Sequence, residues 1–189
     1  MKAVLVEVPP SLLEERRRHG ADVFDEMWEG VLHMNPPPSA AHQRLGADLL
    51  LVLGPVAKAQ GLIPWYETGL YHRSDDYRAP DLAISRPEHR VDAGISGAAL
   101  VVEIRSPGDE SYEKLDWYVA RGVSEILVID PGTRAVELFR SVKGQLVLVQ
   151  PDSDNMVALN SLVPVRLGPI QTSEGTLLCV DTGETAVEI

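Results

Sequence analysis

The chain has 189 residues, 44% hydrophobic and 24% charged, proportions that exclude wholesale disorder and allow a sizeable buried core. A formal net charge of −11 argues against tight nonspecific binding to nucleic acid, which draws on Lys and Arg displacing counterions, although a local basic patch can survive inside an acidic total. A lone cysteine, Cys179, excludes an intrachain disulfide and a cysteine-built zinc site; with Glu7 and Pro9 interrupting the opening segment and no apolar run of about 18 residues, a cytoplasmic protein without a membrane span is expected.

In chain order, Ser11 to His19 predicts a short charged helix, with Ser11 as N-cap, Glu14 as its capping-box partner and Gly20 as terminator. Two strands follow, about Asp22 to Trp28 and Val31 to Met34, turning at Glu29-Gly30. Asn35-Pro36-Pro37-Pro38 stops them. From Ser39 to about Gln60, Leu45, Leu49, Val52, Leu53 and Val56 recur at helical spacing, so a long amphipathic helix is expected, kinked or ended by Pro55.

Extended segments are predicted around Leu62 to His72, Asp81 to Ser85 and Ala98 to Arg105, with a long polar loop between the last two. Asp109 to Arg121 predicts a second helix closed by Gly122, and Ser124 to Asp130 a buried strand. A hairpin near Ala135 to Arg140 and Gln145 to Gln150 precedes weak strands at Val163 to Leu167 and Thr176 to Val180. Without repeats or a linker, the expectation is one mixed α/β domain over 1–189 with its core at about 22–167.

Candidate chemistry centres on Leu100-Val101-Val102-Glu103-Ile104-Arg105, where alternation sends Glu103 and Arg105 to one face and Val102 and Ile104 to the other. A carboxylate on a buried strand needs a partner. Pro80-Asp81-Leu82-Ala83-Ile84 repeats the design. If the two strands are neighbours, Asp81 and Glu103 converge as hard oxygen ligands suited to magnesium or manganese. Taken singly, each acid is more often solvated or salt-bridged. Lys114 follows on the next helix, either reaching back over the sheet edge or pairing at the surface with Glu110 or Glu113.

These residues, in this order, resemble the PD-(D/E)XK nuclease superfamily and, more closely, the Uma-two family of restriction-endonuclease-like proteins. The matching segments are Glu103-Ile104-Arg105-Ser106-Pro107, then Glu113-Lys114-Leu115 with Tyr118, and Gly122-Val123-Ser124-Glu125 with Asp130-Pro131. Upstream stand Asp25-Glu26-Met27-Trp28-Glu29-Gly30, Pro36-Pro37-Pro38 and His42, and downstream Ser161-Leu162-Val163-Pro164. The resemblance runs from about Val23 to Leu167.

It implies a restriction-endonuclease-like mixed β-sheet flanked by helices, with additional β-hairpins, and a Mg- or Mn-dependent endonuclease hydrolysing phosphodiester bonds, DNA in preference to RNA. It also implies metal ligation by Asp81 and Glu103, a water-positioning Lys114, and Glu26 and His42 as further site members. The chain departs from the pattern in a shorter Pro107-to-Lys114 segment and in Ser111-Tyr112 where an Asp is customary. Arg105 stands at the superfamily's Lys position; always protonated, a guanidinium clamps phosphate but is a poor base. A homodimer is expected if duplexes are cut on both strands. The alternatives are a noncatalytic binding or regulatory protein with a degenerate nuclease fold, and a metallohydrolase of small phosphoesters.

Overall fold

Period-two alternation decides which side chains share a layer, and the central sheet shows it in the computed structural model, which describes residues 3–159 and 162–189. Met1 and Lys2 of the opening segment and Ser161 of the closing segment therefore lie outside the described residues. The chain begins with β1 (Ala3–Leu5), α1 (Pro10–Arg18), β2 (Asp25–Trp28) and β3 (Val31–Met34), then α2 (Ala40–Ala59). Next come β4 (Ile63–Tyr66), β5 (Leu70–Arg73), β6 (Asp76–Arg78), β7 (Leu82–Ser85), β8 (Arg90–Val91), β9 (Gly94–Ile95) and β10 (Leu100–Ile104). After α3 (Leu115–Ala120) the chain adds β11 (Glu125–Ile129), β12 (Val136–Val142), β13 (Gln145–Val149), β14 (Val157–Leu159), β15 (Val165–Thr172), β16 (Gly175–Asp181) and β17 (Ala186–Glu188).

The central six-stranded sheet runs β13-β12-β11-β10-β7-β4, with β10 and β11 parallel and the other neighbours antiparallel. Of its four interior strands, β7, β10 and β11 are buried throughout and β12 is largely half-buried. Leu82, Ile84, Leu100, Val102, Ile104, Leu127 and Ile129 pack on one side with Leu45, Leu49 and Leu53 of α2 and with Leu167, Leu178 and Val180 of the C-terminal sheet. Ala83, Val101, Ile126 and Val128 face the other side, against Leu70, Ile95, Leu115 and Tyr118. A seven-stranded sheet, β1-β3-β2-β6-β5-β9-β8, and a four-stranded sheet, β14-β15-β16-β17, complete the fold.

Local chemistry accounts for most boundaries. Ser39 caps α2 by accepting the His42 N–H at 3.2 Å. Pro55 lies inside α2 without ending it, and Gly54 presents no side chain toward the Pro64 ring of β4. The β2–β3 turn places Glu29 and Gly30 at φ 50° and 89°, left-handed geometry that suits a two-residue hairpin.

Three expectations need correction. Helix α1 starts at Pro10, with Pro9 at the cap and no side-chain cap from Ser11; proline at the first helical position costs no hydrogen bond. The polar stretch between β7 and β10 contains β8 and β9. The helix expected over Asp109 to Arg121 is a 3-10 turn at Tyr112–Lys114 followed by α3, because Asp109 accepts the backbone N–H groups of Ser106 and Ser111 and holds the chain in a turn. Among the described residues no helix is long and apolar enough to cross a membrane.

Candidate active site

Strands β7 and β10 pair antiparallel with Leu100 opposite Ile84, Val101 opposite Ala83 and Val102 opposite Leu82. Asp81 immediately precedes β7 and Glu103 follows Val102 on β10, so the two acids come together at one end of this pair, close enough for the Asp81 charge to act on Glu103. Asp81 is locked there by the Ile104 N–H, which donates to Oδ2 at 2.6 Å. Glu103 is 3% exposed, at the floor of a cavity of 480 Å³ that Asp81, Glu26, His42, Arg105 and Lys114 also line.

Lys114 is a buried group and not a surface lysine. Its Nζ lies 2.8 Å from Glu26 Oε1 and 3.2 Å from Glu103 Oε2. The alternative surface partner Glu110 pairs instead with His33 Nδ1 at 2.7 Å. The departure from regular helix before α3 makes this possible, since the 3-10 turn points Lys114 inward at the end of the loop after β10. Burial alone lowers the Lys114 pKa, but Glu103, Glu26 and Asp81 together raise it, so the ammonium stays charged. On this cavity floor it is a cation and hydrogen-bond donor.

Burial pushes the Glu103 carboxyl up to about 8, with Lys114 opposing and Asp81 and Glu26 adding to the shift. Tyr118, fully buried and held neutral chiefly by that burial, donates its hydroxyl to Glu103 Oε1 at 2.5 Å. Glu26 is equally confined. The Trp28 indole N–H donates to its Oε2 at 2.7 Å and the Ala79 N–H to its Oε1 at 3.0 Å.

His42, on the first turn of α2, meets Asp81 Oδ1 at 2.8 Å through Nε2, and its Nδ1 lies 3.2 Å from Ser106 Oγ. Burial lowers its pKa, yet the hydrogen bond and charge of Asp81, with Glu67 and Glu103, outweigh that and raise it. A folded-state pKa above the unfolded value of about 6.5 stabilises the fold fully below that value, and the contribution disappears as pH rises through the folded one. Thermal unfolding should therefore show a larger deficit of His42→Asn against the parent protein at pH 6 than at pH 9. A deficit equal at both pH values would mean that the pair carries no net charge interaction.

Arg105 differs from the other cations of the cavity. Its Nε is buried with no hydrogen-bond partner among the described residues, and its guanidinium carbon lies 5.4 Å from the Tyr112 ring centroid. All the residues singled out from the sequence (Glu26, His42, Asp81, Glu103, Arg105 and Lys114) thus line one cavity. Tyr118, Trp28 and Ser106, which the sequence offered only as residues matching the family pattern, were given no site role there and are found hydrogen-bonded to Glu103, Glu26 and His42. The signal for Trp28 was present, since residues two apart on a strand share a face.

Among the described residues no group of three or more His, Cys, Asp or Glu is arranged to hold a metal ion. The donor set is two carboxyl groups: each Asp81 oxygen and Glu103 Oε2 carries one hydrogen bond and keeps lone-pair capacity, whereas Glu103 Oε1 accepts from both Lys114 and Tyr118. Such a pair fits a hard cation that keeps several of its own waters, as magnesium does, and does not fit one needing a full protein cage.

A comparison with curated proteins finds no match. Among solved structures, the chain resembles the crystal structure described as "a putative nuclease belonging to DUF820" from Anabaena variabilis ATCC 29413, with a TM-score of 0.61 and 19% identity over 74% of this chain and 83% of that one. At that identity the likeness concerns the fold, a mixed α/β arrangement of the restriction-endonuclease-like kind. Residues 13–170 match the Uma2 family, described as "Putative restriction endonuclease", and with that span covering most of the chain and enclosing every residue of the cavity floor, the chain belongs to the Uma2 family.

Proposed function

We propose that the protein is a divalent-metal-dependent endonuclease that hydrolyses phosphodiester bonds in DNA. The observation that carries the reading is the convergence of Asp81, just before β7, and Glu103 on β10 with the buried Lys114 ammonium in one cavity. A magnesium or manganese ion held by the two carboxylates would polarise a phosphate oxygen and make a water a stronger nucleophile.

The chain's own residues supply the remainder. Lys114, kept charged by the acids around it, orients the attacking water and neutralises charge that develops on the phosphate. Glu26 and Tyr118 hold Lys114 and Glu103 in register. His42 fixes the rotamer of Asp81, and Arg105, which lines the cavity, binds a neighbouring phosphate through its guanidinium group. The test is incubation of the purified protein with magnesium or manganese on DNA and RNA of varied sequence, with Asp81→Ala as control. Cleavage that disappears in Asp81→Ala supports the reading, and intact substrates with both metals reject it.

One observation favours a noncatalytic protein on the same fold. Both acids already have protein partners where a metal would bind, His42 on Asp81 and Lys114 on Glu103. The readings separate by mass action, because a cation that binds only the folded state at about a hundred times its dissociation constant adds about 2.7 kcal/mol of stability. A functional site predicts a manganese-dependent rise in melting temperature that Asp81→Ala removes. A decayed site predicts no rise in either protein.

A further inference from the structure

The cavity combines two chemistries that a duplex-cutting surface would not need together. Its floor is polar and predominantly acidic, with Glu67, Asp109 and Glu110 joining the carboxylates already described. Its rim is apolar, built from Val23 and Phe24 ahead of β2, Pro36 to Pro38 after β3, and Pro107 after β10. Val23 is 61% exposed, and Phe24 is half-buried with its carbonyl accepting the Asn35 side-chain N–H at 3.2 Å. That bond ties the two rim segments together across the root of the β2–β3 hairpin.

Duplex DNA bound along a surface offers phosphates in series and hides the faces of its bases, so affinity comes from many Lys and Arg contacts. Here the chain carries a net charge of −11, and the cavity has Arg105 as its cation with an unpartnered buried nitrogen. A volume of 480 Å³ lies within the roughly 300–1,000 Å³ of pockets that enclose small molecules and is too small for a duplex to enter. An aromatic ring and a proline rim, by contrast, offer what an exposed base face binds, and single-strand recognition depends on such stacking.

We infer that the cavity receives one unstacked nucleotide of a single strand, its base against Phe24 and the proline rim and its phosphate toward Arg105. This rests on the nuclease reading above and narrows its substrate to single-stranded, frayed or extruded nucleic acid. A single strand needs one cut, so two-fold pairing of sites is not required.

The experiment is fluorescence anisotropy of the full chain in calcium, with a short single-stranded DNA, the duplex of the same sequence, and the single strand carrying abasic sites. Single strands should bind at least about tenfold more tightly than duplex. Removing the stacked base, or making Phe24→Ala, should weaken binding about fivefold or more, the loss expected when one aromatic stack is removed. Phe24→Tyr should bind like the parent protein, and together with the abasic strand it keeps the test independent of how Phe24→Ala folds. A contact to one or two phosphates predicts a shallow salt dependence, with log K falling against log salt at a slope of about −0.7 to −1.4.

Duplex binding as tight as single-strand binding, indifference to the base and to Phe24, or no binding of any oligonucleotide would overturn the inference. Base-dependent binding without cleavage in magnesium or manganese would instead reject the nuclease reading and leave the nucleotide subsite standing.

Discussion

Replacing Lys114 with methionine is expected to lower phosphodiester cleavage at least a hundredfold and to destabilise the protein by about 3–5 kcal/mol at pH 9, with a smaller loss at pH 6. The kinetic effect follows from removing the ammonium that stands beside both Glu103 and Glu26 on the cavity floor. The stability effect follows from what is left behind, two carboxylates that are 3% and 1% exposed with no cation between them. Breaking a buried ion pair from one side strands the other charge, and that costs more than the pair itself contributes.

The pH dependence has a definite sign. Burial already raises the Glu103 carboxyl to about 8 with Lys114 opposing that rise, so without the ammonium it moves higher still. A raised folded-state value means that the protonated carboxyl stabilises the fold below its unfolded value, and the benefit is lost as pH rises through the folded value. At pH 6 the orphaned carboxyl therefore takes a proton and the cost shrinks, whereas at pH 9 the buried charge remains. Urea unfolding at the two pH values measures this, and equal losses would contradict the assignment. Lys114→Arg should not restore cleavage, because the planar guanidinium is bulkier than the ammonium that fits between the two carboxylates.

Asp76→Ala is expected to cost about 3–5 kcal/mol, a fall of roughly 6–20 °C in melting temperature for a chain of this size. Asp76 is 1% exposed and accepts hydrogen bonds from Arg78 at 3.0 Å, from the Trp117 indole at 3.0 and 3.1 Å, and from Arg121 at 3.4 Å. Arg78 is itself sandwiched, its guanidinium carbon 4.3 Å from the Trp28 ring centroid and 4.6 Å from that of Trp117. His33 stacks on the far side of Trp28 at 4.1 Å, so the column continues toward the loop that Glu110 anchors.

Without Asp76, the Arg78 charge stays buried between two indoles and loses the carboxylate that accepts its hydrogen bond. The double variant Asp76→Ala/Arg78→Met should therefore be more stable than Asp76→Ala alone, a cycle that isolates the stranded charge from lost packing. Burial raises the Asp76 pKa, but the hydrogen bonds from Trp117 and Arg78 outweigh it and lower it. A lowered folded-state value contributes stability above the unfolded one and loses it as pH falls, so the difference between Asp76→Ala and the parent should narrow on acidification. A double variant less stable than the single, or a gap that widens in acid, would refute this account.

The sequence by itself determined the elements whose side chains follow a short period. Alternation in Leu100-Val101-Val102-Glu103-Ile104 separates two layers whatever the neighbours are, and those layers are the two observed cores. The helical spacing of Leu45, Leu49 and Leu53 carried α2 through Pro55. The order Asp81 then Glu103 on adjacent apolar strands was legible for the same reason, since an acid beside a buried run must find a partner.

Only the tertiary structure decided who those partners are. Asp76-Tyr77-Arg78 is too short to show a period and forms a strand because β2 and β5 flank it. Lys114 became a buried cation because Asp109 holds the preceding loop in a turn and Glu26, from another sheet, supplies the countercharge. His42 and Asp81 meet from a helix and a strand edge. Period and propensity act over a few residues, whereas charge pairing in a buried cavity is decided by distance in space, which the spacing along the chain does not encode.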